Sequence, residues 1–258
     1  MKILLSFFIL IISLTSQAFF ERQISAVASN RPFGLVLTGG LAYNYKLWDD
    51  SGEQFWKYGY IRPKVAFDTS FLVNTAITEI QVYPISIFGV TLGSSYAYRS
   101  VDKNEEYDCA KVSCRSELHR NYFRTDINLG AGSFISSLSY QVEHYYISHD
   151  NLLSSVDLGT LLLIPHENGQ QEKMIAFFGY RASDFIQVGV LELFNQATDP
   201  SVSERKKSEG QYIVARLKGP DLSYTAGVGT FGTDYNEKSF AVFVKMNWSF
   251  DPSLSLNE

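Results

Sequence analysis

Two short segments place the residue types of a hydrolytic site close together in the chain. Ser148 is followed directly by His149 and Asp150, and residues 166–169 read His-Glu-Asn-Gly. A nucleophile and its base must meet at hydrogen-bond distance, whereas neighbouring residues of a strand point to opposite faces. Both segments are also rich in the Asn, Asp and Gly that favour turns. The sequence therefore predicts no enzymatic activity and no catalytic residue.

The two cysteines, Cys109 and Cys114, lie in a polar segment at 100–119. In an oxidising compartment we expect them to pair and to staple a loop. A metal site is the alternative, but only His119 lies nearby as a further ligand. The sequence shows no Gly-rich phosphate loop, zinc pattern or paired-carboxylate spacing. We therefore predict a disulfide, no metal and no cofactor.

The elements that must position these residues are β-strands, because apolar and polar residues alternate with a period of two along most of the chain. Outside the N-terminal segment no stretch has a helical period. Residues 19–31 carry no clear period and are predicted to be a lead-in, and alternation fails at 161–163. The predicted strands cover 35–45, 59–70, 75–83, 88–99, 122–130, 134–147, 156–164, 173–181, 185–194, 211–218, 222–230 and 240–250.

The segment 240–250 alternates most strongly. One face carries Phe240, Val242, Val244, Met246, Trp248 and Phe250, and the other is smaller and more polar. At about 3.4 Å per residue the segment can cross a bilayer core when tilted. It resembles the closing strand of bacterial outer-membrane β-barrels, which commonly ends on an aromatic residue that the assembly machinery recognises. Here eight residues, 251–258, follow that aromatic. The alternative is a half-buried strand of a soluble secreted sandwich or barrel.

The resemblance implies an all-β fold: a single antiparallel up-and-down transmembrane β-barrel of about 12 strands, with 10 or 14 as alternatives. A spanning sheet must close because lipid offers the backbone no hydrogen-bond partner. The apolar face of 240–250 would then face the membrane. A charge facing lipid costs about 2–4 kcal/mol, so polar residues should face inward. The predicted lumen-lining residues are Arg62, Lys64, Asp68, Glu79, Gln81, Arg99, Arg124, Asp126, Asn128, Gln141, Glu143, Lys245 and Asn247.

The two ends of the chain give conflicting predictions for the side on which the cysteine loop lies. Both chain ends should be periplasmic, where turns are short. Counting back from 240–250 places the segment 195–210 outside. Counting forward from 35–45 places the cysteine loop in the periplasm, which is wrong for a loop of that length. We therefore expect an error in the division of 58–83, or of 147–185, into strands.

The N-terminus has the pattern of a secretory signal peptide. Lys2 precedes an apolar run at 3–14, and Ser16 and Ala18 are small residues at the −3 and −1 positions of a cleavage site. An anchor helix would need about 20 apolar residues. We predict cleavage after Ala18, one barrel domain over 19–258, and location in the outer membrane of a Gram-negative cell.

Composition fits this prediction without deciding it. The chain is 15% aromatic, which suits the aromatic girdles of a membrane barrel and also an all-β soluble core. Its net charge is −5 and it has no basic stripe, so nucleic acid is not expected as a partner. The expected partners are outer-membrane lipid and the barrel-assembly machinery, and the sequence does not indicate an oligomeric state.

The leading functional hypothesis is a narrow porin-like channel for small hydrophilic solutes. In a barrel of this size the inward polar residues either pair and fill the lumen or line a small pore. Their mixed signs argue against strong ion selectivity. One alternative is a structural or adhesive barrel acting through loops at 46–57, 100–119 and 195–210. A less favoured one is an outer-membrane lipid hydrolase, whose His-x-Ser-Asn-Gly signature the segment 166–169 departs from by lacking the Ser.

Overall fold

The computed structural model describes residues 18–49, 58–101, 107–148, 154–165, 169–199 and 204–250. Almost all of the predicted signal peptide lies outside these residues, so its boundary stays a prediction. Within the described ranges, no helix is long and apolar enough to cross a membrane.

The described residues form fourteen strands. Twelve of these strands close into one antiparallel barrel, in which the first strand pairs with the last, and the seventh pairs directly with the tenth. The remaining two, the eighth and the ninth, form a separate two-stranded sheet. The predicted fold class and strand number are therefore confirmed. The strands are β1 (Ala18–Asn30), β2 (Phe33–Asp49), β3 (Tyr58–Thr69), β4 (Val73–Ile85), β5 (Phe88–Arg99), β6 (Glu117–Ala131), β7 (Phe134–Ser148), β8 (Ser154–Asp157), β9 (Leu162–Pro165), β10 (Gly169–Arg181), β11 (Ile186–Asp199), β12 (Glu204–Lys218), β13 (Leu222–Thr233) and β14 (Asn236–Ser249).

Large apolar side chains are exposed all around the outer wall. On β14, Phe240 is 64% and Val244 is 52% exposed to the surroundings. Of the six residues predicted to face the membrane, five are exposed and Val242 is half-buried. An apolar belt of this extent requires apolar surroundings to cover it. Other strands contribute Val65, Ile80, Leu92, Phe123, Phe178, Val190, Ile213 and Leu217.

The prediction that residues 19–31 are a lead-in was wrong, because they belong to the first strand of the wall. β1 pairs with β2 on one side and with β14 on the other, so it closes the barrel. The C-terminal part of β1 includes residues 25–29, which read Ser-Ala-Val-Ala-Ser. Small residues on both faces give too little contrast for a period of two to be visible, although the backbone pairing is regular.

The predicted wall strand at 156–164 was also wrong. Residues 154–157 and 162–165 form the β8–β9 hairpin, which leaves the wall altogether. Its turn includes Leu161, which has a positive φ of 57°, and the failed alternation at 161–163 marks that turn. One missed strand and one false strand cancel, which is why the predicted number of twelve is nevertheless right.

Counting β1 as a strand removes the conflict over the cysteine loop. We call the end of the barrel where β1 begins and β14 ends the chain-end rim, and the opposite end the loop rim. The cysteine-bearing connection between β5 and β6 lies at the loop rim. β2 and β3 meet at the chain-end rim, so the predicted loop 46–57 cannot share a surface with the cysteine loop. Most of the predicted loop 195–210 is strand, belonging to β11 and β12.

Candidate functional site: the barrel lumen

A buried ion pair crosses the first strands of the inner wall. Arg62 of β3 donates from Nη2 to Glu21 Oε1 of β1 at 2.7 Å, and Asn44 Nδ2 of β2 donates to the other carboxylate oxygen at 2.9 Å. Arg62 Nη1 also donates to Gln81 Oε1 of β4 at 3.3 Å. Glu21 is 1% and Arg62 is 4% exposed. Charges buried this deeply persist only when paired and hydrogen-bonded.

The hydrogen bonding continues from this pair onto β4 and β6. Gln81 Nε2 donates to Glu79 Oε2 at 2.9 Å. Glu79 also accepts from the Tyr122 hydroxyl and lies 3.7 Å from Arg124 Nη1. Arg124 Nε in turn donates to Asp126 Oδ2 at 3.1 Å. We call this chain of contacts, from Glu21 to Asp126, the first network. It alternates negative and positive groups, and its three acids and two bases leave a formal charge of only −1.

A second network is centred on Glu143 of β7, whose side chain is fully buried. Its carboxylate is 3.3 Å from Arg120 Nη1 of β6 and 2.9 Å from Lys173 Nζ of β10. It also accepts from the amide of Gln141 and the hydroxyl of Tyr145. Two cations on one carboxylate leave local positive charge that a further acid can balance.

That further acid comes from the β8–β9 hairpin, residues 154–165, which we call the inner hairpin. Its apolar residues Val156, Leu162 and Ile164 are completely buried. β9 contacts the wall strands β10, β11 and β12. At the turn, Leu161 packs into a cluster with Tyr212 of β12. The inner hairpin therefore lies against the inner wall, folded in from the loop rim.

Arg99 fastens the inner hairpin to the wall at β5. Its Nη1 donates to Val156 O at 2.7 Å, its Nη2 donates to Ser155 Oγ at 2.6 Å, and its Nε donates to Ser116 O at 3.2 Å. Arg99 is 2% exposed. One guanidinium thus satisfies oxygen atoms on the hairpin and on the segment that leads into β6, which holds these two segments together.

The cysteine loop provides a second attachment. Cys109 and Cys114 form the expected disulfide, with their Cα atoms 5.5 Å apart. Ser113, next to this bridge, donates from its backbone N to Ser154 O at 2.9 Å and accepts from Val156 N at 3.3 Å. The Tyr107 hydroxyl donates to Leu161 O at 2.6 Å. The disulfide therefore closes the loop that holds the inner hairpin from the loop rim.

Asp157 joins the inner hairpin to the second network. Its Oδ2 lies 3.2 Å from Lys173 Nζ and accepts from the Thr160 hydroxyl at 2.9 Å, while Oδ1 accepts from Gly159 N at 3.1 Å. Burial raises the pKa of Asp157, but the charges of Lys173 and Arg120 together with these hydrogen bonds outweigh burial and hold the pKa at about 2. Asp157 is therefore ionised throughout the physiological range.

The low pKa of Asp157 predicts that the inner hairpin stays docked until the pH is strongly acidic. Because the pKa is lowered from 3.8, Asp157 stabilises the docked hairpin by about 2 kcal/mol above pH 4, and this contribution is lost as pH falls through about 2. Amide exchange at 154–165 should therefore change little between pH 8 and pH 4, after correction for intrinsic rates, and accelerate below pH 3. In Asp157→Asn the exchange should already be faster at pH 7, and the additional acceleration below pH 3 should be smaller. An equal acid response in both proteins would contradict this assignment.

Below the inner hairpin, towards the chain-end rim, the lumen is less filled. Ile175 lies two residues beyond Lys173 on β10, so it shares the inner face with Lys173, and it is 45% exposed. Towards the chain-end rim the inner faces carry polar residues that are only half-buried. Part of the inner wall below the inner hairpin is therefore open to solvent, although Tyr212, Val214, Phe231 and Ala241 of β12–β14 are buried in the cluster that contains Leu161. These half-buried inner-face residues include Gln187, Arg216, Thr225, Lys245 and Asn247.

The structure brings most of the predicted lumen-lining residues together on one side. Seven take part in the two networks, and Arg99 binds the inner hairpin instead. Lys64, Asp68, Lys245 and Asn247 are half-buried and Asn128 is buried. That these residues border a solute path stays a prediction. The seven network members are Arg62, Glu79, Gln81, Arg124, Asp126, Gln141 and Glu143.

Several residues of the two networks are not among those that the sequence predicted to line the lumen. Glu21 lies on β1, where the sequence predicts a lead-in, and Asp157 lies on the inner hairpin, where the sequence predicts a wall strand. Arg120 could have been found, because it is two residues before Tyr122 and so shares its face, but the predicted strand began too late. Lys173 was the first residue of a predicted strand and was not assigned to the lumen.

The segments considered for catalysis fall mostly outside the described residues. Residues 149–153 and 166–168 are not described, and of Ser148 only the backbone is, as the end of β7. In the part of the chain that the structure covers, no group of three or more His, Cys, Asp or Glu side chains could hold a metal ion.

Comparison with known proteins supports the fold alone. No protein-family model matches the sequence, and no curated protein does. Among solved structures, the chain is similar to an outer-membrane channel from Pseudomonas putida F1, with a TM-score of 0.52 and 8% identity over 90% of this chain and 94% of that one. It also matches the KdgM porin, with a TM-score of 0.48 and 9% identity over 90% and 99% of the two chains. The chain therefore has the closed-barrel fold of bacterial outer-membrane proteins.

Proposed function

We propose that this barrel is a narrow channel of the outer membrane for small hydrophilic solutes, with the inner hairpin as its constriction. The observation that carries the proposal is the inner hairpin itself, which occupies the loop-rim end of the lumen, whereas below it the inner-face residue Ile175 of β10 stays 45% exposed. The apolar outer belt supports location in a membrane, because only hydrocarbon covers such a surface without cost. With the chain-end rim in the periplasm, the loop rim faces the outside of the cell.

The charge arrangement supports passage of neutral or weakly charged solutes. In the first network Arg62 is paired with Glu21, and Arg124 lies between Glu79 and Asp126. Paired groups of both signs create little net field along the lumen, whereas selectivity for the sign of an ion comes from rings of side chains that carry one charge. We therefore expect weak ion selectivity.

A size limit follows from the inner hairpin, which occupies part of the cross-section. In proteoliposomes, monosaccharides should cause swelling, and trisaccharides should cause much less. Both should permeate a barrel in which a short Gly-Ser linker replaces residues 154–165. The linker can bridge the gap because β7 and β10 are neighbours, with Tyr145 opposite Gly169. Absence of swelling with every sugar in both proteins would reject the channel.

The other functional hypotheses are weaker. An adhesive surface built from three loops is not supported, because β2 and β3 meet at the chain-end rim, away from the cysteine loop. An adhesin would instead use the loop rim alone.

We also propose that the barrel is not a lipid hydrolase. Fatty-acid release that Ser148→Ala abolishes would overturn this. Folding through the barrel-assembly machinery, with Phe250 as part of the signal, is proposed from the closing strand.

A further inference from the structure

A groove opens on the outer wall where β1, β2 and β3 run side by side. Its floor is Gly39, which lies on the outer face of β2 between Ile24 of β1 and Phe67 of β3. A Cβ atom at Gly39 would meet no other atom within 4 Å. The groove has a volume of about 580 Å³, which is within the range of roughly 300–1,000 Å³ of pockets that hold small molecules. The apolar belt is therefore interrupted at this point.

The groove combines apolar walls with one cation. Ile24, Val65 and Phe67 each expose about half of their surface along it. Arg22 also lines the groove, and its guanidinium carbon lies 5.9 Å from the centroid of the Phe250 ring. A cation on an otherwise apolar surface is the feature expected where a lipid headgroup meets its acyl chains.

Arg22 lies close to the chain-end rim. Phe250, which directly follows the end of β14, donates from its backbone N to Arg22 O at 3.0 Å. Its ring stacks on Trp248 with the centroids 5.0 Å apart. Aromatic side chains of this kind gather at the membrane–water interface. The cation therefore lies at headgroup level, and the groove extends from it into the apolar belt.

We propose that this groove binds one phospholipid from the leaflet at the chain-end rim, with the lipid phosphate at Arg22 and one acyl chain over Gly39. Guanidinium groups bind phosphate with short charge-assisted hydrogen bonds. The missing side chain at Gly39 lets the acyl chain approach the backbone and complete the apolar belt. The proposal rests on the membrane location of the barrel, and it does not depend on whether the lumen conducts.

Three variants of the full barrel separate this site from the general lipid shell. Gly39→Phe fills the groove, and nothing within 4 Å of the new Cβ opposes it. Arg22→Gln removes the cation. Ala226→Phe is the matched control, because Ala226 is exposed on the outer wall at β13 and does not line the groove. Each protein is stripped of lipid in detergent, titrated with phosphatidylglycerol, and analysed by native mass spectrometry.

The wild-type barrel and Ala226→Phe should each retain one phosphatidylglycerol. Gly39→Phe should lose it, and Arg22→Gln should bind it about tenfold more weakly. Equal retention in all four proteins, or an equal loss in the control, would overturn the site. Because the groove is outside the lumen, Gly39→Phe should leave conductance unchanged. Failure of the channel proposal would therefore not be mistaken for failure of this one.

Discussion

Replacing Arg62 by methionine is expected to destabilise the folded barrel by about 3–5 kcal/mol, because removal of one member of a buried ion pair leaves the other charged and unpaired. Glu21 would keep only the hydrogen bond from Asn44 among the contacts described above. Gln81 would also lose the donor to its Oε1. Methionine keeps the apolar stem of the side chain, so the loss reports the charge and its hydrogen bonds.

The measurement is the urea dependence of unfolding in phospholipid vesicles, followed by heat-modifiable gel migration. Arg205→Met is the matched control, because Arg205 is largely exposed and lies 3.9 Å from Glu172. Exposed pairs of this kind contribute about 0–1 kcal/mol. The double variant Glu21→Met with Arg62→Met should recover much of the lost stability, since no buried charge of the pair is left alone. Equal effects of Arg62→Met and Arg205→Met would contradict the burial of the pair.

The second large effect is expected at Arg99. Arg99→Met removes the donors to Val156 O, Ser155 Oγ and Ser116 O. A hydrogen bond to a charged group contributes about 1.5–3 kcal/mol, so loss of two of them from the hairpin should shift its docked equilibrium by more than about a hundredfold. Single-channel records should then show larger and more frequent openings.

Arg181→Met is the control for this experiment, because Arg181 is exposed at the chain-end rim, away from the inner hairpin. Gel migration of unboiled Arg99→Met should still be that of a folded barrel, since the wall strands keep their pairing. A folded Arg99→Met barrel with wild-type conductance would show that Arg99 does not control the constriction.

Alternation along the chain predicted most of the wall strands. Each wall strand places apolar residues outward and polar residues inward, so the pattern is visible in the strand's own sequence without knowledge of its neighbours. The segment 88–99 agrees with β5 at both ends. β1 was not predicted because the side chains on both of its faces are small around Ala26 and Ala28. The inner hairpin was mistaken for a wall strand because Leu162 and Ile164 are apolar for a different reason, burial inside the barrel.

The pairing of inward charges could not be predicted in the same way. Glu21 and Arg62 are 41 residues apart, and they meet only because the registers of β1, β2 and β3 bring them to neighbouring positions. With Arg62 buried against Glu21, we expect reversal of its charge to act first on stability and only secondarily on conductance.

The most direct test is a paired planar-bilayer recording of the wild-type barrel and the barrel in which a short Gly-Ser linker replaces residues 154–165. We expect small conductance steps for the wild type, with weak ion selectivity, and clearly larger steps when the inner hairpin is absent. The faster gel migration of unboiled samples verifies that both proteins are folded barrels. Silence of both folded barrels, or identical steps from both, would contradict a lumen that conducts past the inner hairpin.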